Sequence, residues 1–220
     1  MTAGEPPQVP ERAPITGHLP QLTPGKAFLI GFFFELGLVA VAALLGFWSQ
    51  GTPFPFRLTF TPGGLLWGLG GTVPVVLMSY ALTSSIGLRF QAFRKIYDLL
   101  KDFLGDVVRA LRFEEILLLS AAAGVGEEVL FRGVVQTVTG EWGLWISSAL
   151  FGLLHALTPA YFVLTFLFGL YLGWLFEASG SLLAPMIVHW LYDTAAFVLL
   201  RRQFQKDAET QTAPGEVRSS

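Results

Sequence analysis

Six long apolar runs, at about 27–48, 64–86, 116–136, 143–157, 160–178 and 182–200, dominate this chain of 220 residues. A helix needs about 20 predominantly apolar residues to cross the hydrocarbon core of a bilayer. Five of the runs are close to that length. The run at 143–157 is shorter and is closed by Pro159, which suits a tilted or shallow segment. Unbroken apolarity is not the period-two alternation of a membrane β-barrel. The expected fold is therefore an all-α polytopic membrane bundle of about six transmembrane helices. Composition agrees: 14% of the residues are charged, against about 25% in an ordinary soluble domain. The net charge of −2 provides no basic field for nucleic acid, and the expected surrounding is membrane lipid. The chain has no cysteine, which removes disulfides, thiolate metal sites and cysteine nucleophiles together.

Residues 1–26 are rich in proline and read as a disordered tail, and residues 201–220 read as a second one, so the bundle is expected over 27–200. The first apolar run exceeds the 7–15 residues of a signal-peptide core and reads as a retained span. Segment 88–112 differs in kind. Phe93, Ile96, Tyr97, Leu100, Phe103, Leu104, Val107 and Leu111 recur at helical spacing, with Arg89, Arg94, Lys95, Lys101, Arg109 and Arg112 at other positions. This predicts an amphipathic helix with a basic face, suited to the headgroup region or to a cytoplasmic linker. With six spans, the two tails and this segment share one side and hold all but Arg57 and Arg132 of the 14 basic residues. The positive-inside rule then places both termini in the cytoplasm of a multi-pass cell-membrane protein.

Ionisable side chains inside spans cost at least about 2.5–3.5 kcal/mol each and mark functional positions by default. Here they are Glu35, Glu127, Glu128, Arg132, His155, His189 and Asp193. At about 100° per residue, Arg132 lies about 40° from Glu128 and about 140° from Glu127. Glu128 and Arg132 are thus an i,i+4 ion pair. Glu127 has no partner on its own helix and needs one from another helix or from water. Such an acid suits the role of general base. His189 and Asp193, also four apart, share a face. His155 follows Phe151 by one turn. One free acid, two histidines and a second acid on three separate spans form a convergent polar site. Glu35 is expected to be structural.

The order Glu127-Glu128-Val129-Leu130-Phe131-Arg132, then Phe151 to His155, then His189 to Asp193 resembles the CPBP family of intramembrane proteases. That group comprises the type II CAAX prenyl endopeptidases with abortive-infection and bacteriocin-processing relatives. The family pattern is EExxxR, FxxxH and HxxxN on successive spans, and the likeness covers about residues 85–200. The resemblance implies a glutamate-type intramembrane endopeptidase acting on a membrane-associated peptide of prenylated or leader type. It also implies a hydrophilic cavity in which Glu127 and His155 activate a water, His189 and the residue at 193 stabilise the oxyanion, and Glu128, Arg132 and Phe151 support the site.

Asp193 departs from the commoner Asn. An amide donates to an oxyanion, whereas an ionised carboxylate does not. Asp193 is therefore protonated, or it orients His189, or the site holds a metal. No cofactor is expected first. If the chemistry depends on a metal, Glu127, His155, His189 and Asp193 are donors that suit zinc, although no HExxH pair is present. The absence of that pair, of a GxSG serine motif and of a GxGD partner for Tyr192-Asp193 also disfavours other intramembrane protease classes. The competing readings are a non-catalytic immunity or scaffold protein of the same fold, and a proton-coupled carrier using the Glu/His set.

Overall fold

A computed structural model describes residues 23–54 and 58–212. The expectations for residues 1–22 and 213–220, and the placement of Arg57, lie outside the described residues.

Seven α-helices follow one another: α1 Pro24–Gln50, α2 Pro62–Thr83, α3 Gln91–Ala110, α4 Phe113–Glu128, α5 Gly143–Leu154, α6 Pro159–Ser179 and α7 Leu183–Thr212. A π-helical segment, Val129–Gln136, continues directly from α4. No strand occurs among the described residues. Helices α2 and α6 start in the same way. In each, a proline opens the first turn, where its missing N–H is no loss. The preceding threonine hydroxyl accepts a backbone N–H, Thr61 from Gly64 at 2.9 Å and Thr158 from Tyr161 at 3.1 Å.

Helices α1, α2, α6 and α7 are long and apolar enough to cross a membrane. The third apolar run forms α4 and the π segment without a break between them. The fourth forms α5, whose 12 residues extend about 18 Å and so fall short of the roughly 30 Å hydrocarbon core. The bundle has its polarity turned outside in. Leu44 and Trp48 on α1 are 73% and 85% exposed, whereas Glu128, Arg132, Ser120 and Ser147 are 0% exposed. An apolar exterior around a polar interior is the arrangement of a helical membrane bundle.

Without a hydrophobic drive between helices in lipid, small residues and interhelical hydrogen bonds hold such a bundle. Helix α4 supplies the small residues in Ser120-Ala121-Ala122-Ala123-Gly124-Val125-Gly126. A Cβ on Gly126 would stand 2.2 Å from the Glu35 carbonyl oxygen, and one on Gly124 3.0 Å from the Trp190 backbone nitrogen. Both α1 and α7 therefore reach the α4 backbone itself, one on each side of Val125. Hydrogen bonds reinforce the joints, from the Trp190 indole to the Leu117 carbonyl at 3.1 Å and from the Tyr171 hydroxyl to the Gly71 carbonyl at 2.7 Å.

The expected amphipathic helix is α3. Its buried residues Ile96, Tyr97 and Val108 face the bundle, and Tyr97 and Val108 cluster with Phe204 of α7. Here one boundary moves. Residues 201–212, expected within a disordered tail, continue α7 as helix. The cause is a set of partners on α3: Phe204 is completely buried, and Asp207 accepts from the Tyr97 hydroxyl and the Lys101 ammonium, each at 2.8 Å.

Candidate active site

The site is built around Glu128. Its Oε1 accepts from Arg132 Nη1 at 2.8 Å on its own helical segment and lies 2.8 Å from His189 Nδ1 on α7. Arg132 also donates through Nη2 to the Gly169 carbonyl of α6 at 3.0 Å, and its guanidinium lies 4.7 Å from the centre of the Phe151 ring. One fully buried guanidinium thus ties the π segment to α5 and α6, using charge, hydrogen bonding and an aromatic face. The i,i+4 pairing read from the sequence is present, although Arg132 sits in a π turn rather than a regular α turn. The π conformation carried no sequence signal. Such bulges recur at functional positions in helices, and here the Phe131 carbonyl within it accepts the Ser147 hydroxyl at 2.9 Å.

Phe151 explains its own place in the motif. Its ring stacks on His155 at 4.6 Å and meets His189 edge-on at 5.9 Å, while its carbonyl lies 2.9 Å from His155 Nδ1. His155 caps the C-terminal end of α5, so its imidazole leaves the helix where the cavity begins. A carbonyl and a carboxylate can only accept. His155 and His189 therefore each carry a proton on Nδ1 and turn Nε2 towards the cavity.

Both Nε2 atoms face Glu127. They stand 3.8 Å (His155) and 3.9 Å (His189) from its two carboxyl oxygens, and His189 Nε2 lies 3.5 Å from Asp193 Oδ2. Glu127 is only 8% exposed, and its Oε2 is buried without a hydrogen-bond partner. The structure therefore gathers Glu127, His155, His189 and Asp193 into one place, with Glu128, Arg132 and Phe151 behind them. The same cavity, of about 340 Å³, is also lined by Glu35, Tyr161 and Tyr192. Glu35, singled out in the sequence as an acid in the middle of an apolar run and expected to be structural, lines the cavity with them. A second, apolar groove between α2, α3 and α7 shares Leu82, Tyr161, Tyr192 and Asp193 with the cavity wall.

The candidate zinc donors are Glu127, His155, His189 and Asp193. Among the described residues, no three His, Asp or Glu side chains converge into a metal cage.

Residues 110–195 match the family model described as Type II CAAX prenyl endopeptidase Rce1-like. The uncharacterized protein YpbD of Bacillus subtilis is 35% identical over 81 residues, a stretch covering 36% of this chain and 41% of that protein. The similarity thus spans well under half of the relative's length. No solved structure matches. The resemblance carried by the three motifs is thereby borne out over residues 110–195, the segment this chain shares with the Type II CAAX prenyl endopeptidase Rce1-like family.

Proposed function

We propose that the chain is an intramembrane endopeptidase of glutamate type, hydrolysing a peptide bond in a membrane-associated peptide. The observation that supports this best is the buried, unbonded Glu127 carboxyl facing two imidazole Nε2 atoms at 3.8 and 3.9 Å. Gaps of that size between polar atoms suit a bridging water. A water held by Glu127 and His155 loses a proton to the carboxylate as its oxygen attacks the scissile carbonyl. His189, its Nδ1 proton committed to Glu128, offers Nε2–H to the developing oxyanion when it carries a second proton. Asp193 either orients that imidazole or donates as a neutral acid. Glu128, Arg132 and Phe151 keep both rings in place.

The walls of the cavity support the substrate class. A cavity of about 340 Å³ beside an apolar groove suits a polar backbone segment joined to an apolar part, such as a prenylated or leader-type peptide. The same reading puts the protein in the cell membrane, in contact with lipid and without a nucleic-acid partner, and the bias of basic residues supports cytoplasmic termini. Because the chain has no cysteine, single cysteines introduced near each terminus and labelled from one side report this orientation directly.

The deciding experiment is cleavage by purified protein in proteoliposomes, using quenched-fluorescent peptides with and without a farnesylated C-terminal motif. Glu127→Gln is expected to lower turnover by at least about 100-fold while leaving the thermal midpoint unchanged. Wild-type turnover in a folded Glu127→Gln protein removes Glu127 as the base, and no cleavage by the folded wild type removes the endopeptidase reading and leaves a scaffold.

A further inference from the structure

Glu35 belongs to α1, outside the segment that matches the family model. It nevertheless lines the cavity of the proposed reaction. Its position is set by the backbone. The Glu35 carbonyl lies against Gly126, where a Cβ would come within 2.2 Å, and the next residue along α4 is Glu127. The two acids are therefore delivered to one cavity by two helices in backbone contact.

The Glu35 side chain has no partner to explain its charge. Its Oε2 is buried without a hydrogen bond. Among the described residues, the one buried arginine, Arg132, is committed to Glu128 and the Gly169 carbonyl. The ionisable groups facing Glu35 across the cavity are Glu127 of α4, His155 beyond α5, Tyr161 of α6, and His189, Tyr192 and Asp193 of α7. Helix α2 contributes only Met78 and Leu82, and no residue of α3 lines the space. A carboxyl inside a bundle without a cation is far cheaper neutral than charged.

We infer that Glu35 is the second acid–base group of this site, entering the cycle with a proton and giving it to the departing amide nitrogen. The inference rests on the endopeptidase reading. Glu127 takes one proton from the attacking water as the new C–O bond forms. The C–N bond breaks as Glu35 protonates the nitrogen, which leaves as an amine, and the carbonyl carbon leaves as a carboxylic acid. Glu127 is then protonated and Glu35 ionised, and transfer of that proton between them, through a water in the shared cavity, restores the starting state. No atom or electron pair is left over.

Glu35→Gln keeps size and polarity but cannot release a proton. In the proteoliposome assay with the farnesylated peptide, it is expected to lower kcat by about 100-fold, to leave KM within about twofold, and to abolish the fall in rate on the alkaline side of the pH profile. Glu35→Asp is expected to restore part of the rate and that alkaline limb. A merely structural role lowers the amount of folded protein and leaves the pH profile in place. If Glu127→Gln is inactive while Glu35→Gln matches wild type in rate and profile, the inference about Glu35 falls and the endopeptidase reading stands. If Glu127→Gln cleaves like wild type, the role of Glu127 as base falls, and if the folded wild type cleaves no peptide, the endopeptidase reading falls with the inference. Infrared difference spectra need no substrate. A carboxylic-acid C=O band at neutral pH, shifted in D2O and lost in Glu35→Gln, supports a proton on Glu35, and its absence from the wild type overturns the inference.

Discussion

Two carboxylates join distant parts of this chain, in opposite surroundings. Glu128 is completely buried and gathers Arg132 and His189. Asp207 lies near the end of α7, with its side chain 29% exposed, and gathers Tyr97 and Lys101. The inter-residue distances are alike, 2.8 Å in all four contacts. The energetics differ. In the buried cluster each group's desolvation is offset only by its partners, so deleting one partner leaves a charge stranded. At Asp207 water and salt substitute for a missing partner. Equal geometry therefore describes a keystone in one place and a loose tie in the other. The outer joint is held mainly by the apolar side chains around Phe204.

That contrast can be broken at several strengths. Arg132→Met is expected to cost about 3–5 kcal/mol, read as the loss of unfolding free energy in detergent, with no relief from added salt. Neutralising Glu128 as well, in Glu128→Gln/Arg132→Met, is expected to recover much of it. A loss under about 1 kcal/mol in the single variant sinks the keystone description. Phe204→Ala comes next, at about 3 kcal/mol, and should make the C-terminal end of α7 and helix α3 exchange amide hydrogens together. Asp207→Asn is expected to cost under about 1 kcal/mol, shrinking further in high salt; a loss comparable to that of Arg132→Met equates the two clusters.

The smallest effect is confined to alkaline pH. Burial, and then the bond to Asp207, push the Tyr97 phenol above its ordinary value of 10.0. A group raised on folding contributes stability that is complete below its unfolded value and is lost as pH climbs towards the folded one. Wild type should therefore lose stability above about pH 10, and Tyr97→Phe should lose less over the same range. Parallel alkaline curves for the two proteins contradict this.

Much of the site was legible because its logic is local. Four-residue spacing predicted that Glu128 meets Arg132 and that His189 and Asp193 share a face, and it left Glu127 without a partner on its own helix. What escaped depends on contacts between helices. The place of Glu35 in the cavity follows from the approach of α1 to Gly126, across more than ninety residues of sequence. The helical end of α7 was hidden because polar residues 201–212 resemble a tail until Tyr97 and Lys101 are found opposite Asp207. The π segment was hidden because a local change in backbone hydrogen bonding leaves no mark on hydropathy. The short reach of the fourth run was legible from its length and from Pro159, and it forms α5, a helix of 12 residues that ends at the candidate cavity.

Helix α7 carries His189 and Asp193 at one level and the Asp207 tie at another. The two levels are about 27 Å apart along the axis at 1.5 Å per residue. A stiff rod of that length is a lever. Pivoted at the Asp207 end, a tilt of about two degrees moves His189 by about 1 Å, a misplacement that can cost an active site about 100-fold in rate. Helix α3, joined to that end of α7 through Tyr97 and Lys101, thus sits on the same rod as an imidazole 3.9 Å from Glu127.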